Sequence, residues 1–459
     1  MAKVKYRIPV KRGARLELEV EALGTSGDGI ARYEGYTLFV PEGLPGDRTL
    51  AEVVKTTTNW GSVRVIERLK DSPDRIDPPC EVFPKCGGCQ LLWLNYDKQI
   101  EFKKETLEEN LKRIGKLEHL PEIKVLASDE IFGYRNKGIF PIQQKKEILK
   151  IGFYEKDSHF AVDSSECDVM AEPINAIKES LRKKIFQYIV TIYNEKKKKG
   201  FLRHIVIRRS QSTGESLLGF VTLPGNFPNG FIEKLTEGQF VEKFNIKGIV
   251  QNINPDPGNV IFGSEFKTLW GREYLYDRLG DLQFQMSLGS FAQVNSGIAL
   301  RLYQLIDGWA EGKGLVVDAY CGSGGIAICL AKGGRRVIGI DESKDSIEAA
   351  EKNAKLNKLD SCEFWHGPVE NYMDSLLKLK DVQTLVLDPP RKGCSPEFLK
   401  AVEEKAPAQI IYVSCNPSTL ARDLNLLKNY RVEEIVMADM FPHTRHIEAA
   451  VNLRKIIDK

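Results

Sequence analysis

The chain has 459 residues, 42% hydrophobic and 28% charged, with 66 Lys and Arg against 63 Asp and Glu for a net charge of +3. The length suits about two to four globular domains, and so small a net charge does not by itself mark a nucleic-acid partner, so the placement of charge matters more than its sum. No apolar run reaches the roughly 18 residues of a membrane span, the N-terminus lacks the apolar core of a signal peptide, and nine unevenly spaced cysteines argue against a disulfide framework; a cytoplasmic protein without membrane contact is expected.

The chain opens on alternation. In RLELEVEAL, Leu16, Leu18, Val20 and Ala22 face one way and Glu17, Glu19 and Glu21 the other, which predicts a half-buried strand. Turn glycines at 24, 27, 29, 35 and 46 surround the short strand YTLFV and lead to GSVRVIERL. Residues 8–70 therefore predict a small OB-like β-barrel, a module that often binds RNA, with simple packing on a neighbour as the alternative. After the Pro-rich DSPDRIDPP comes CEVFPKCGGC, three cysteines within ten residues, a spacing suited to a metal. NYDKQIEFKKETLEENLKRIGKL predicts an amphipathic helix with Tyr96, Ile100, Leu107, Leu111 and Ile114 on one face, Asn95 as cap and Gly115 at the end. Residues 75–285 read as an α+β central domain that carries the cysteine cluster and is expected to bind RNA, with strands FLRHIVIRRS and NIKGIVQNIN and a helical stretch in EPINAIKESLRKKIFQYIVTIY. The run Lys196 to Lys199 reads as a solvated loop, whereas Arg203, Arg208 and Arg209 on a strand are better placed to hold phosphates.

From about residue 312 the rhythm is strand–helix–strand. GLVVDAY, RRVIGID, TLVLDPP and QIIYVSC are apolar runs of strand length, separated by helical stretches such as SKDSIEAAEKNAKLN and SPEFLKAVEEKA. Residues 286–459 thus predict a doubly wound α/β domain with a mostly parallel sheet and ligands at the carboxyl ends of its strands. Gly322, Gly324 and Ala327 also fit G-x-G-x-x-A, so a dinucleotide dehydrogenase is an alternative; Asp341, closing the next strand, suits ribose hydroxyls in either class. LVLDPPRKG discriminates. It places Asp388 at a strand end before two prolines, a stiff turn suited to a flat ring, as in nucleic-acid methyltransferases that hold a flipped base. Cys415 stands at the tip of another strand, before a Pro-bearing turn and a helix start. There a thiol is expected to be exposed, with a lowered pKa, and able to attack an electron-poor ring; a buried structural cysteine is the alternative. In DMFPHTRHIEAAVNL, an extended segment puts His446 and Glu448 on one face and His443 on the other, which favours Glu448 as a general base over a metal site.

DAYCGSGG, DPPRKG, VSCNPSTLARDL and FPHTRHIEAAVNL, with SFAQVN, GYRNKGIFP and CEVFPKCGGCQ upstream, resemble the RNA uracil-5-methyltransferase family, and the N-terminal barrel resembles a TRAM domain. The resemblance covers nearly the whole chain. It implies a Rossmann-like, S-adenosylmethionine-dependent methyltransferase domain that forms 5-methyluridine in RNA, with Cys415 as nucleophile and Glu448 as base. Gln293, Tyr320, Asp341 and Asp388, with Gly322 and Gly324, would line the cofactor pocket, and Phe291 and Arg391 would meet the target nucleotide. Cys80, Cys86, Cys89 and Cys167 would hold a four-iron–four-sulfur (4Fe-4S) cluster, zinc being the alternative. A fourth cysteine argues against radical S-adenosylmethionine chemistry, which needs an open iron position. The helix at about 94–117 would pack on the catalytic domain. Barrel and cysteines together point to the branch acting on 23S ribosomal RNA, with tRNA uridine as the alternative substrate, and the protein is expected to be a monomer. A non-catalytic RNA-binding module is disfavoured by the complete pair of Cys415 and Glu448.

Overall fold

The structure, a computed structural model, describes residues 8–372, 376, 382–405 and 407–456; the N-terminal MAKVKYR and the last residue of SPEFLKAVEEKA lie outside the described residues. The chain divides into two compact units, Met1–Thr106 with Phe441–Arg445, and Leu107–Met440 with His446–Lys459.

In the first unit, β1 (Arg15–Leu23), β2 (Gly29–Tyr33), β3 (Tyr36–Val40), β4 (Arg48–Thr56) and β5 (Trp60–Lys70) close into a barrel in the order β1-β2-β3-β5-β4. Alternation builds it, because inward positions such as Leu18, Val20, Leu38, Val40, Ala51, Val53 and Val63 fill one core. The expected phase of β1 fails at its end. The register with β2 slips between Val20 and Ala22, so Ala22 is exposed and Leu23 turns partly inward, the effect of a β-bulge on a two-residue period. The buried Asp47 carboxylate accepts from the Leu44 and Ser72 amides, each at 2.7 Å, and pairs with Arg75, anchoring the chain that leaves the barrel. Leu44, Trp93 and Leu94 form a second small core, where the Phe83 ring meets Trp93 edge-on at 4.6 Å. That contact seats the cysteine-bearing segment.

Helix α1 (Tyr96–Arg113) starts in this unit. Asn95 caps it as expected, its side-chain oxygen accepting from the Asp97 amide at 3.0 Å. The buried face differs from the apolar count. Leu107 and Leu111 are buried, but Ile114 is exposed, and Gln99 and Lys103 are buried in its place. The backbone satisfies both polar groups. Gln99 donates to the Leu94 carbonyl at 2.7 Å and accepts from the His443 amide at 2.9 Å, and Lys103 donates to the Phe441 carbonyl at 3.0 Å.

In the second unit, β7 (Lys137–Lys145), β8 (Ile148–Tyr154), β9 (Ala161–Asp163), β10 (Leu202–Arg209), β11 (Ser216–Thr222), β12 (Ile246–Ile253) and β13 (Glu265–Gly271) form a sheet in the order β13-β12-β11-β10-β7-β8-β9. Helices α2 (Ile174–Gln187), α3 (Phe231–Thr236) and α4 (Gln239–Lys243) accompany it. The phosphate-holding role expected of the β10 arginines is corrected. Arg208 is buried and donates to the Ser287 and Ser290 carbonyls at 2.6 and 2.9 Å. Arg209 donates to Ser216 at 3.2 Å, and Arg203 to the Asn254 and Asp256 carbonyls at 2.9 and 2.8 Å. A strand at the middle of a covered sheet leaves a guanidinium little but carbonyls to bond. Lys196 to Lys199 are exposed, as expected.

The hairpin of β14 (Tyr274–Leu279) and β15 (Leu282–Ser287) and the helix α5 (Ser296–Trp309) lead into the α/β sheet. This sheet comprises β6 (Ile123–Leu126), β16 (Leu315–Ala319), β17 (Arg336–Asp341), β18 (Cys362–His366), β19 (Val382–Leu387), β20 (Gln409–Ser414), β21 (Tyr430–Ala438) and β22 (Glu448–Lys455). Its order is β18-β17-β16-β19-β20-β22-β21-β6. Strands β18 to β20 are parallel, and β22 is inserted antiparallel between β20 and β21. Helices α6 (Gly325–Lys332), α7 (Lys344–Leu356), α8 (Pro396–Lys405) and α9 (Pro417–Leu424) make the connections. Strand order reverses between β16 and β19, so a crevice opens beyond their carboxyl ends. No described helix is long and apolar enough to cross a membrane.

Candidate active site

The crevice is built from turns that follow the central strands. After β16 the chain passes through left-handed backbone at Tyr320 (φ 70°), Gly322 (φ 53°) and Gly324 (φ 86°) before α6 begins. A Cβ at Gly324 would lie 3.1 Å from Ala350 Cβ and Ile328 Cδ1, so this glycine also permits close packing under the turn. At the end of β17, Asp341 accepts from the Gly322 amide at 3.0 Å and the Ser343 amide at 2.8 Å, one on each carboxylate oxygen. Each oxygen retains a lone pair that could take a ribose hydroxyl. A side chain at Gly322 would meet nothing within 4 Å, so open space adjoins the turn. These residues fit S-adenosylmethionine. Tyr320 stands beside Phe398, ring to ring at 6.3 Å, and burial and the nearby Cys394 push its hydroxyl pKa up. Beneath the turn Asp318 is fully buried, and burial, with Asp388 adding to it, holds its carboxyl well above the usual range.

The SFAQVN stretch is tied to the same turn. Ser323 donates to the Phe291 carbonyl at 3.0 Å, leaving the Phe291 ring 67% exposed. Asn136 donates to the Gln293 carbonyl at 3.1 Å and to Ser296 at 3.0 Å. Sequence reasoning assigned no role to Asn136 or Ser323; Asn136 lies in the quoted GYRNKGIFP, which was the available signal.

Beyond β19 lies the Asp388-Pro389-Pro390-Arg391 turn, and beyond β20 the Cys415-Asn416-Pro417 turn. Asn416 joins them. Its side-chain oxygen caps α9 by accepting from the Ser418 amide at 3.1 Å, and its side-chain amide nitrogen donates to the Arg391 carbonyl at 3.0 Å. A second tie is Asp423, also missed in the sequence, which accepts from the Cys394 amide at 2.9 Å and the Tyr412 hydroxyl at 2.6 Å. The antiparallel register then brings in Glu448. Ser414 pairs with Ala449, so the next step outward carries Cys415 toward Glu448. Arg391 reaches His446 Nδ1 at 3.2 Å.

Charge is concentrated here. Glu448 is buried, and burial together with Asp388 holds its carboxyl well above the usual range, with Arg391 opposing. Burial pushes Asp388 up to about 6. The Cys415 thiol is raised by burial and by Glu448, with Arg391 opposing. The expected depression of this thiol is therefore overturned: the site is half-buried and faces carboxylates, which outweigh the helix start and the arginine. The extended reading of FPHTRHIE is corrected: the strand begins only at Glu448, and His443 turns through φ 65° and belongs to the other unit.

Cys80, Cys86, Cys89 and Cys167 are all half-buried. Burial and the neighbouring Cys80 raise the Cys86 thiol, and Cys86 Sγ accepts from the Gly88 amide at 3.4 Å. Cys167 belongs to the second unit, where Asn175 exchanges hydrogen bonds with its backbone at 3.2 and 3.1 Å. Among the described residues no three His, Cys, Asp or Glu side chains are gathered to hold a metal; Cys80 stands close enough to Cys86 to act on its thiol.

Residues 265–456 match the family described as tRNA (Uracil-5-)-methyltransferase, and residues 9–62 match the TRAM domain. An uncharacterized RNA methyltransferase of Halalkalibacterium halodurans is 37% identical over 98% of this chain and 99% of its own. One from Listeria monocytogenes is 39% identical over 97% of this chain and 98% of its own. Among solved structures, the Pyrococcus abyssi tRNA (uracil-54, C5)-methyltransferase in complex with S-adenosyl-L-homocysteine superposes with a TM-score of 0.77, at 31% identity, over 95% of this chain and 100% of that one. The dinucleotide dehydrogenase alternative therefore falls. The chain belongs to the RNA (uracil-5-)-methyltransferase family: it is an S-adenosylmethionine-dependent RNA methyltransferase with an N-terminal TRAM domain.

Proposed function

We propose that this enzyme methylates carbon 5 of a uracil in RNA through a covalent adduct with Cys415, with Glu448 as the general base. The observation that supports the reading is the β20–β22 register, Ser414 against Ala449, with Glu448 close enough to Cys415 to raise its thiol. Bound S-adenosylmethionine supplies an electrophilic methyl group. The Cys415 thiolate adds to uracil carbon 6 and turns carbon 5 into a nucleophile. After carbon 5 is methylated, Glu448 takes its proton, the carbon 6–sulfur bond breaks, and the thiolate is released. Arg391 opposes the negative charge of both groups. Gln293, Tyr320, Gly322, Gly324, Asp341 and Asp388 hold the cofactor, and Phe291 and Arg391 face a base drawn from its stack. A Cys415→Ala enzyme should bind S-adenosylhomocysteine normally and transfer no methyl group; transfer at the wild-type rate refutes the covalent route.

The proposed substrate is 23S ribosomal RNA, on the combination of TRAM barrel and cysteine cluster. A second reading, tRNA uridine, is favoured by the Pyrococcus abyssi protein, whose name specifies tRNA uracil-54. Methylation of purified rRNA and tRNA transcripts side by side separates the two. Cys80, Cys86, Cys89 and Cys167 are proposed to hold a 4Fe-4S cluster, or zinc, as a structural staple outside the methyl-transfer step. The adjacency of Cys80 and Cys86 and the Gly88 amide on sulfur support a ligand role. Visible absorption and metal analysis of anaerobically purified protein distinguish the two metals.

A further inference from the structure

The central sheet carries a cleft of about 970 Å³ that the proposed chemistry does not use. It is lined from β7, β8, β10 and the loops around residues 158–160, 192–196 and 258–261. Its cations are Lys145, Lys146, Lys150, Lys196 and Arg203, against the single carboxylate of Glu195, and Glu195 is already engaged by His159 at 3.1 Å. Burial, with Arg203 adding to it, holds His204 down at about 4, so the lysines and Arg203 supply the positive charge. His204 is 7% exposed, and its Nδ1 has no hydrogen-bond partner among the described residues.

Aromatic rings interleave with these charges. Phe160 is 60% exposed with Lys196 Nζ 5.8 Å from its ring centre. Tyr193 carries the Arg203 guanidinium at 5.0 Å, and that guanidinium is fixed by the Asn254 and Asp256 carbonyls. Tyr154 stands beside the His159 ring at 5.9 Å. An acidic peptide would match the lysines but would leave an exposed phenyl ring without purpose. Flat bases joined by phosphates satisfy rings and cations together.

We propose that this cleft binds an unpaired segment of the RNA substrate, with a base stacked on Phe160 and backbone phosphates on Lys196 and its neighbouring lysines. The proposal rests on the RNA reading above and adds to it a second docking point for the strand. Free nucleotides share the base-and-phosphate chemistry, so the test includes both sources.

The experiment measures fluorescence anisotropy of a labelled 12-nucleotide oligouridylate on the full-length chain, with unlabelled UMP and poly-glutamate as competitors. Phe160→Ala should raise the Kd about tenfold, the effect of losing one stacked base. Lys196→Ala should weaken binding and reduce the salt slope by about 0.7, one single-strand phosphate contact. Both side chains are exposed, so melting and S-adenosylhomocysteine affinity should stay at wild-type values. Unchanged Kd in both variants overturns the proposal. So does UMP competing as tightly as the 12-mer, which assigns the cleft to a free nucleotide, or poly-glutamate displacing the strand from wild type and Phe160→Ala alike. The readout needs no methyl transfer. An enzyme that binds the strand through the cleft but never methylates uracil supports this proposal and refutes the uracil reading.

Discussion

Asp388 is a carboxyl held above its ordinary range by burial, from 3.8 to about 6. Replacing it with asparagine keeps the shape and removes the charge. A shift of about two units at about 1.4 kcal/mol each gives roughly 3 kcal/mol. The sign follows from linkage. The folded-state value lies above the unfolded one, so its contribution to stability is fully present below 3.8 and is lost as pH rises through about 6. At about pH 8 the wild type carries the whole penalty, and Asp388→Asn should be more stable by about 3 kcal/mol. Near pH 5 the gap should fall to about half, and it should close below about pH 4. The variant also removes the Asp388 charge that raises Glu448, which adds to the gap at high pH. Urea unfolding of the full chain across this pH series is the assay. A gap that is the same at pH 5 and pH 8, or a variant less stable than wild type at pH 8, refutes the reasoning. The same substitution should lower methyl transfer, since buried charge at active sites is commonly retained at the expense of stability.

Other outcomes follow from the same geometry. Glu448→Gln should form the carbon 6 adduct and stall there, giving a protein–RNA band on a denaturing gel; its absence removes Glu448 as the base. Because the Cys415 thiol and the Glu448 carboxyl are both raised, and both must lose a proton to act, kcat/KM should climb as pH rises from 6 to 9. A flat profile counts against that pair. Gly324→Val should abolish calorimetric binding of S-adenosylhomocysteine, because φ 86° costs a branched residue about 1–2 kcal/mol and its Cβ would crowd Ala350 and Ile328. Normal affinity in that variant would show that the turn does not cradle the cofactor.

Much of this protein was legible in one dimension, wherever local physics governs. Period-two alternation and turn glycines announced the barrel, and apolar runs between amphipathic stretches announced the α/β sheet. Asn95 caps its helix as its position suggests. Cys415 and Glu448 stood out by residue type and motif. Their adjacency did not, because it depends on β22 entering antiparallel between β20 and β21, a pairing between strands distant in sequence. Tertiary packing also reversed local expectations. Residue type and a helix start suggested a low Cys415 pKa, but burial and facing carboxylates raise it. The arginines of β10 look like phosphate clamps in sequence, yet a covered strand turns them onto carbonyls. Gln99 and Lys103 are buried because carbonyl and amide partners from a segment over 300 residues later await them. Sequence by itself determined which elements form and which side chains are the candidates for the chemistry. The tertiary structure decided which of those side chains meet, and in what dielectric, because burial and long-range strand pairing are properties of the assembled chain.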